Sequence, residues 1–139
     1  MTRAAAAAAL WTLLALFVLR VAGQVVAFLA APAWLPPHRR WFSGVLPYRW
    51  LFPAQLFFVA VMAPVSWAVA TGSRPLDGPS GPAGGWVVAL GVVYALGMCW
   101  RAWRWVSSPP ERRGVVIPIA FHFVIAAWVL VYGAWLSRA

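Results

Sequence analysis

Five polar side chains lie within long apolar stretches of this sequence, and they are the groups with which the chain could do chemistry. They are Arg20, Gln24, Gln55, Tyr94 and His122. A guanidinium binds carboxylates and phosphates through several N–H donors, whereas an imidazole exchanges a proton near neutral pH. The two amides and the phenol add hydrogen-bond donors and acceptors. Together these groups suit a pocket for an acidic or carbonyl-bearing ligand.

The stretches that contain these residues are long enough to cross a lipid bilayer. The chain has 139 residues, of which 64% are hydrophobic and 9% charged, and this composition excludes a water-soluble domain with a polar exterior. A helix needs about 20 apolar residues to span the hydrocarbon core. Four stretches have that length, approximately residues 4–31, 51–70, 86–106 and 115–136. We therefore expect an all-α, polytopic membrane protein whose four transmembrane helices form a single bundle domain over residues 1–139.

Proline and glycine mark the connections between these helices. The prolines of residues 32–37 end the first helix, because the residue before a proline is pushed out of the helical conformation. Pro53 falls in the first turn of the second helix, where it is tolerated, and Pro64 should kink that helix. Residues 71–85 are rich in Gly and Pro, which predicts a flexible connector.

Two further features concern the helices themselves. The first residues resemble a signal peptide, but Arg20 interrupts the apolar run before a plausible cleavage site, so we expect the segment to be retained. Gly23 with Ala27, and Gly91 with Ala95, have the four-residue spacing of small side chains that lets helix backbones approach closely. Both pairs predict close helix packing.

The formal net charge of +9 comes from arginine, since all eleven basic residues are Arg. No soluble basic domain is present, so we expect no nucleic-acid partner. Most arginines belong to the first and third connections or to the end of the third helix, where we expect contacts with lipid head groups. They are Arg39, Arg40, Arg49, Arg101, Arg104, Arg112 and Arg113. The positive-inside rule places these connections in the cytoplasm and both termini outside.

Tryptophans flank the apolar runs. Their amphipathic rings are typical anchors at the membrane–water interface. The flanking residues are Trp34, Trp41, Trp50, Trp86, Trp103, Trp105 and Trp135. We expect them at head-group level.

Arg20 is the strongest functional signal, because the sequence supplies no acid near it. An arginine at mid-depth costs about 2.5–3.5 kcal/mol on insertion scales, so it should face protein, water or a ligand rather than lipid. The only acids, Asp77 and Glu111, belong to connections. Arg20 therefore either binds internal carbonyls and a neighbour such as Gln24 or Gln55, which would only fix helix packing, or binds an anion from outside the chain. Depth along the helices lets all five polar residues converge.

His122 admits several roles. It could act as a general base, a proton relay or a haem ligand, or it could be a neutral side chain bonded to a neighbouring helix. A bis-histidine haem would need His38, which lies in the first connection. Because the predicted helices contain no carboxylate, we expect no metal site and no cofactor, and we assign no catalytic residue. The lone Cys99 excludes an intrachain disulfide or a Cys-based zinc site and is expected to be buried.

Three stretches resemble a group of short bacterial four-helix integral membrane proteins. They are LRVAGQ at residues 19–24, LPPHRRWFSGVLPYRWLFPAQ at 35–55 and GVVIPIAFHFVIAAWVL at 114–130. These stretches include four of the five polar residues named above. The group has no named activity, so the resemblance implies the architecture and a bacterial cytoplasmic (inner) membrane location but no mechanism.

The sequence leaves three functions open. The first is a non-enzymatic role as a structural or accessory subunit of a larger membrane complex or a homo-oligomer. The second is binding or transport of an anionic amphiphile such as a lipid, a fatty acid or a quinone, with Arg20 and Gln24 holding the head group and Gln55, Tyr94 and His122 lining the pocket. The third is a lipid- or quinone-modifying enzyme with His122 as base. Membrane lipids are partners in all three.

Overall fold

The computed structural model describes residues 1–41, 47–74, 76–78, 82–109 and 116–138. All regular secondary structure in these residues is helical. The four long helices are α1 (Arg3–Leu29), α2 (Tyr48–Thr71), α3 (Pro82–Ser107) and α4 (Val116–Leu136), and a short 3₁₀ helix spans His38–Trp41. Each long helix has the length and apolar composition needed to cross a membrane. The predicted all-α, four-helix, multi-pass membrane protein is confirmed.

Local chemistry explains where α1 begins and ends. The Thr2 side chain caps the first turn by accepting the Ala5 N–H at 3.2 Å, which satisfies one of the free donors at a helix start. The helix ends at Leu29, two residues before the predicted end at 31. Ala31 has a φ of 40°, so the chain leaves the helical conformation just before Pro32.

The next two helices begin earlier than predicted. Helix α2 begins at Tyr48 with Pro47 as its N-cap, and α3 begins at Pro82 rather than Trp86. Proline is tolerated at the first helical position because its missing N–H would have no partner there. Gly84 lets this added turn lie against the end of α4, because a Cβ at Gly84 would be 2.6 Å from the Ser137 backbone nitrogen. The predicted start of α4 at 115 lies outside the described residues.

The helices are arranged in the order α2, α1, α4, α3. In the described part of the chain α1 contacts α2 and α4, and α3 contacts α4. The core is formed by apolar side chains of α1, α2 and α4, with Tyr94 of α3 at its edge. Its most buried members include Leu10, Phe17, Met62, Val69, Trp128 and Trp135. Helices α1 and α4 therefore form the centre, and α2 and α3 flank them.

The second connection is anchored at Asp77, which is only 4% exposed. Its carboxylate lies 2.9 Å from Arg3 Nη2 and 3.4 Å from Arg138 Nη2, and it accepts the Trp135 Nε1–H at 2.8 Å. The backbone oxygen of Leu76 accepts the Tyr132 hydroxyl at 2.8 Å. The flexible connector predicted for 71–85 is therefore wrong at these two residues, and residues 82–85 belong to α3.

Some tryptophans occupy the core rather than the interface. Trp34, Trp50, Trp86 and Trp103 are exposed as expected of anchors, and Trp105 is partly exposed. The anchor prediction is wrong for Trp41, which packs on α1, and for Trp135, which binds Asp77. Trp41 donates to the Pro36 oxygen of its own connection, and Trp135 donates to the buried carboxylate of Asp77, so both indoles are shielded from the surface.

Candidate functional site

A cavity of about 70 Å³ lies between α1, α2 and α4, toward the end of the bundle that carries the first connection. Its polar lining is Arg20, Gln55 and His122. The apolar lining is formed by Phe17, Leu51, Ala54, Phe58, Pro118, Phe121 and Ile125. One water molecule needs roughly 10–15 Å³ of cavity volume. The cavity therefore has room for several waters or for the polar end of a head group. The cavity is only partly enclosed, and Phe58, one of its lining residues, is 40% exposed.

Arg20 enters this cavity from α1 and is 94% buried, with 6% of its surface exposed. Its Nη2 donates to the backbone oxygen of Trp41 at 2.8 Å, and its guanidinium carbon lies 5.6 Å from the centre of the Phe121 ring. Its Nε is buried without a hydrogen-bond partner. Neither ion pair found in the described residues involves Arg20. The guanidinium thus binds one internal carbonyl, and its charge has no counter-ion among the described residues.

The Trp41 carbonyl reaches Arg20 because the first connection folds back onto α1. Trp41 Nε1 donates to the Pro36 oxygen at 2.9 Å, and the Arg40 amide donates to the Pro37 oxygen at 2.8 Å. The indole rests on Gly23, where a Cβ would come within 2.7 Å of the ring. Sequence analysis took Gly23 as a helix-packing residue and missed Trp41 as a partner of Arg20. The available signal was a glycine three residues after the arginine.

The two glutamines meet across the α1–α2 contact. Gln55 Nε2 donates to Gln24 Oε1 at 3.0 Å. Gln24 is fully buried and Gln55 is 4% exposed. The bond leaves Gln24 Nε2 and Gln55 Oε1 buried without partners. Of the two glutamines, only Gln55 lines the cavity. Gln24 supports it through the hydrogen bond, whereas Arg20 binds the Trp41 oxygen.

The Tyr94 hydroxyl lies 2.5 Å from His122 Nδ1 and joins α3 to α4. This bond occupies one imidazole nitrogen, which leaves Nε2 for the cavity that His122 borders. His38 is held elsewhere, with its ring 5.0 Å from that of Phe28 and 4.8 Å from that of Tyr48. In the parts of the chain that the structure describes, no group of three His, Cys, Asp or Glu side chains could hold a metal ion.

The structure therefore places all five predicted residues in one region but gives them unequal positions. Three line the cavity, whereas Gln24 and Tyr94 each support a lining residue through a hydrogen bond. Their role in ligand binding remains a prediction.

The predicted head-group arginines are described in part. Arg40, Arg49 and Arg104 are exposed, and Arg101 is partly exposed. The side chain of Arg39 and all of Arg112 and Arg113 lie outside the described parts of the chain. Cys99 is exposed on α3, so the prediction of a buried cysteine is wrong.

Fold and site define a class, a multi-pass membrane protein with a partly enclosed cationic cavity. Comparison of the chain with protein-family models, curated proteins and solved structures gives no match. Its function is therefore argued from the cavity.

Proposed function

We propose that this protein binds the head group of an anionic amphiphile in the cavity beside Arg20. The observation that supports this proposal is a cavity-lining arginine, 94% buried, whose Nε has no hydrogen-bond partner among the described residues. A buried charge is costly unless it is paired and hydrogen-bonded. A single carbonyl supplies a dipole but no compensating charge, whereas a carboxylate or phosphate supplies both.

The walls of the cavity suit the apolar part of such a molecule. Most lining residues are aliphatic or aromatic, with Phe17, Phe58 and Phe121 among them. Apolar walls with a few polar groups are typical of ligand sites, where the polar groups fix orientation. The cavity is too small for a whole lipid, so the acyl chains would lie outside it, along the bundle.

Charge at the same end of the molecule favours an anionic lipid as the ligand. Arg40 and Arg49 are exposed beside the first connection, and Arg104 is exposed near the end of α3. Each basic residue near an anionic membrane surface contributes about 1 kcal/mol of attraction. We propose that this end faces the cytoplasm of a bacterial inner membrane, where it would concentrate anionic lipid around the cavity.

Native mass spectrometry of the protein released from nanodiscs tests this function. The discs contain dioleoylphosphatidylcholine with a minor fraction of dioleoylphosphatidylglycerol. A charge-assisted hydrogen bond contributes about 1.5–3 kcal/mol, so Arg20→Met should lower retention of phosphatidylglycerol at least about tenfold. Arg74→Met is the matched control, because it removes an exposed arginine from the second connection, at the end of the bundle opposite the cavity. Equal retention by wild type and Arg20→Met, with both proteins folded, would contradict the proposal.

A second candidate function is that of a structural or accessory subunit in a larger membrane assembly. In the described residues α3 contacts α4 and no other long helix. Its free side carries Trp86, Trp100 and Trp103, which are 62–77% exposed. Cys99 lies exposed on the same helix and serves as a natural probe. Copper-catalysed crosslinking through Cys99 in native membranes should give a dimer or a defined adduct that Cys99→Ser abolishes, and a chain that stays monomeric would argue against this role.

A further inference from the structure

Gln55 lines the cavity, and its amide oxygen is a buried acceptor that finds no donor among the described residues. Its Nε2 is used by Gln24 Oε1 at 3.0 Å, while its Oε1 is buried and unpaired. The amide oxygen suits this position because Arg20 borders the same cavity, and a cation attracts the negative end of a neighbouring dipole. A buried acceptor left without a donor is destabilising.

Arg20 and Gln55 both line the cavity, and their unpaired atoms are chemically opposite. Arg20 Nε can only donate, whereas Gln55 Oε1 can only accept. An ionised carboxylate or a simple phosphodiester accepts hydrogen bonds but donates none. Such a head group would satisfy Arg20 and would leave the oxygen of Gln55 unpaired. A head group that satisfies both must carry an anionic oxygen and, close to it, a hydrogen-bond donor. A hydroxyl is the donor that suits this cavity, because an ammonium group would add a second positive charge beside Arg20.

We infer that the cavity selects an anionic phospholipid whose head group carries a free hydroxyl, bound with its phosphate oxygen on Arg20 and its hydroxyl donating to Gln55. The inference rests on the proposed function, since it specifies the ligand of the same cavity. His122 adds Nε2 as a further polar contact, because Tyr94 occupies its Nδ1.

A membrane lipid fits this chemistry better than a soluble phosphate ester. The cavity lies between three helices that are apolar enough to span a membrane. Seven of its ten lining residues are apolar. A soluble ester would place its own polar surface against these walls without compensating hydrogen bonds, which is unfavourable. A lipid presents only its polar end to the cavity and leaves its apolar part in the bilayer.

The test compares two lipids of equal charge. Dioleoylphosphatidylglycerol and dioleoylphosphatidylmethanol are both singly charged phosphodiesters, but only the first has head-group hydroxyls. Each is titrated into the full-length protein in dioleoylphosphatidylcholine nanodiscs, and its apparent Kd is measured by native mass spectrometry. The wild type should prefer phosphatidylglycerol about tenfold, the effect of one satisfied acceptor.

Gln55→Met should abolish this preference, since it keeps the side-chain length but removes the acceptor. Ser66→Ala is the matched control. Ser66 is a buried polar residue of the same helix that bonds Trp128 and does not line the cavity, so the preference should persist. Circular dichroism and gel filtration confirm that each variant is folded.

Each alternative result has a distinct meaning. Equal affinity of the wild type for both lipids, lost for both in Arg20→Met, would overturn the hydroxyl inference and leave the proposed function intact. Binding of neither lipid would overturn both. Displacement of bound phosphatidylglycerol by glycerol 3-phosphate in the buffer would overturn the assignment to a lipid, and no displacement would support it.

Discussion

At the residue scale, Arg20 and Arg138 show two ways of holding a partly buried guanidinium. Arg138 donates to the carboxylate and the backbone oxygen of Asp77 and lies 3.2 Å from the centre of the Trp135 ring. Its charge is neutralised within the chain. Arg20 has a backbone oxygen, a more distant ring and an unpaired Nε. The contrast assigns a structural role to Arg138 and leaves Arg20 open to an external anion.

Substituting Asp77 tests whether its contacts with Arg3 and Arg138 stabilise the fold. Asp77→Asn removes the charge that pairs with Arg3 and Arg138, whose side chains are 49% and 27% exposed. Because water can solvate both arginines in part, we expect a loss of about 1–3 kcal/mol in the free energy of unfolding. Thermal unfolding in detergent, followed by circular dichroism, measures it. Asp77→Ala should cost more, since it also removes the acceptor for Trp135, and unchanged stability in both variants would contradict the anchor.

The Tyr94–His122 hydrogen bond joins α3 to α4 and should contribute to stability. Tyr94→Phe removes one hydrogen bond and should lower stability by about 1 kcal/mol, measured in the same unfolding assay.

A turnover assay tests the enzymatic alternative. We expect the purified protein to convert neither phosphatidylglycerol nor a quinol, as measured by mass spectrometry of the lipid fraction. A product formed by wild type and lost in His122→Ala would replace the binding function by catalysis with His122 as base.

At the element scale, Gly133 is one of the glycines on which the α3–α4 contact depends, and the sequence alone did not single it out. A Cβ at Gly133 would lie 2.7 Å from the backbone nitrogen of Val88, and the backbone of a packed helix cannot move aside cheaply. Gly133→Ala should therefore separate α3 from α4 and cost about 1–3 kcal/mol of stability. Gly97→Ala is the control, since nothing lies within 4 Å of its added Cβ. Similar stability of the two variants would refute this account.

The 3₁₀ helix of the first connection responds differently to a glycine change. A Cβ at Gly23 would come within 2.7 Å of the Trp41 ring, but this ring belongs to a connection that can shift. Gly23→Ala should release Trp41 and its carbonyl from Arg20 while α1 stays intact. Hydrogen exchange of the amides at residues 38–41 should rise, whereas exchange in α4 should not change. Unchanged exchange at Trp41 would show that the ring adapts in place.

The sequence predicts the elements better than the contacts between them. Apolar runs of sufficient length and the bordering prolines give all four helices, and the missing acid identifies Arg20 as unusual. Three contacts escaped prediction: Asp77 with both terminal arginines, Trp41 with Arg20, and Gln24 with Gln55 as a pair. Each joins residues 21 or more positions apart, and periodicity along one helix contains no information about such pairs. The polar lining residues could be proposed because they are polar side chains in apolar stretches, but only the structure shows which of their atoms form hydrogen bonds.

At the scale of the whole molecule, the two ends of the bundle differ in charge balance. One end joins Arg3, Asp77 and Arg138 in a cluster that includes both terminal segments and the second connection. The other end holds the cavity, the first connection and exposed arginines such as Arg40 and Arg49. Ion pairs stabilise the first end, whereas the exposed arginines described at the second end form no ion pair with a described residue. An anionic membrane surface would therefore attract the cavity end more strongly.

This asymmetry predicts how the protein lies in a membrane, because arginines in short connections favour the cytoplasmic side. Single cysteines are introduced at exposed positions of a Cys99→Ser background, as Arg40→Cys at the cavity end and Arg74→Cys in the second connection. A membrane-impermeant maleimide should label Arg74→Cys in intact spheroplasts and Arg40→Cys only after permeabilisation. The reverse pattern would place the cavity at the outer leaflet, and the ligand would then have to come from lipids on that side. Labelling of both positions from one side would contradict the four crossings, since the single helix α2 separates the first connection from the second and places them on opposite sides of the membrane.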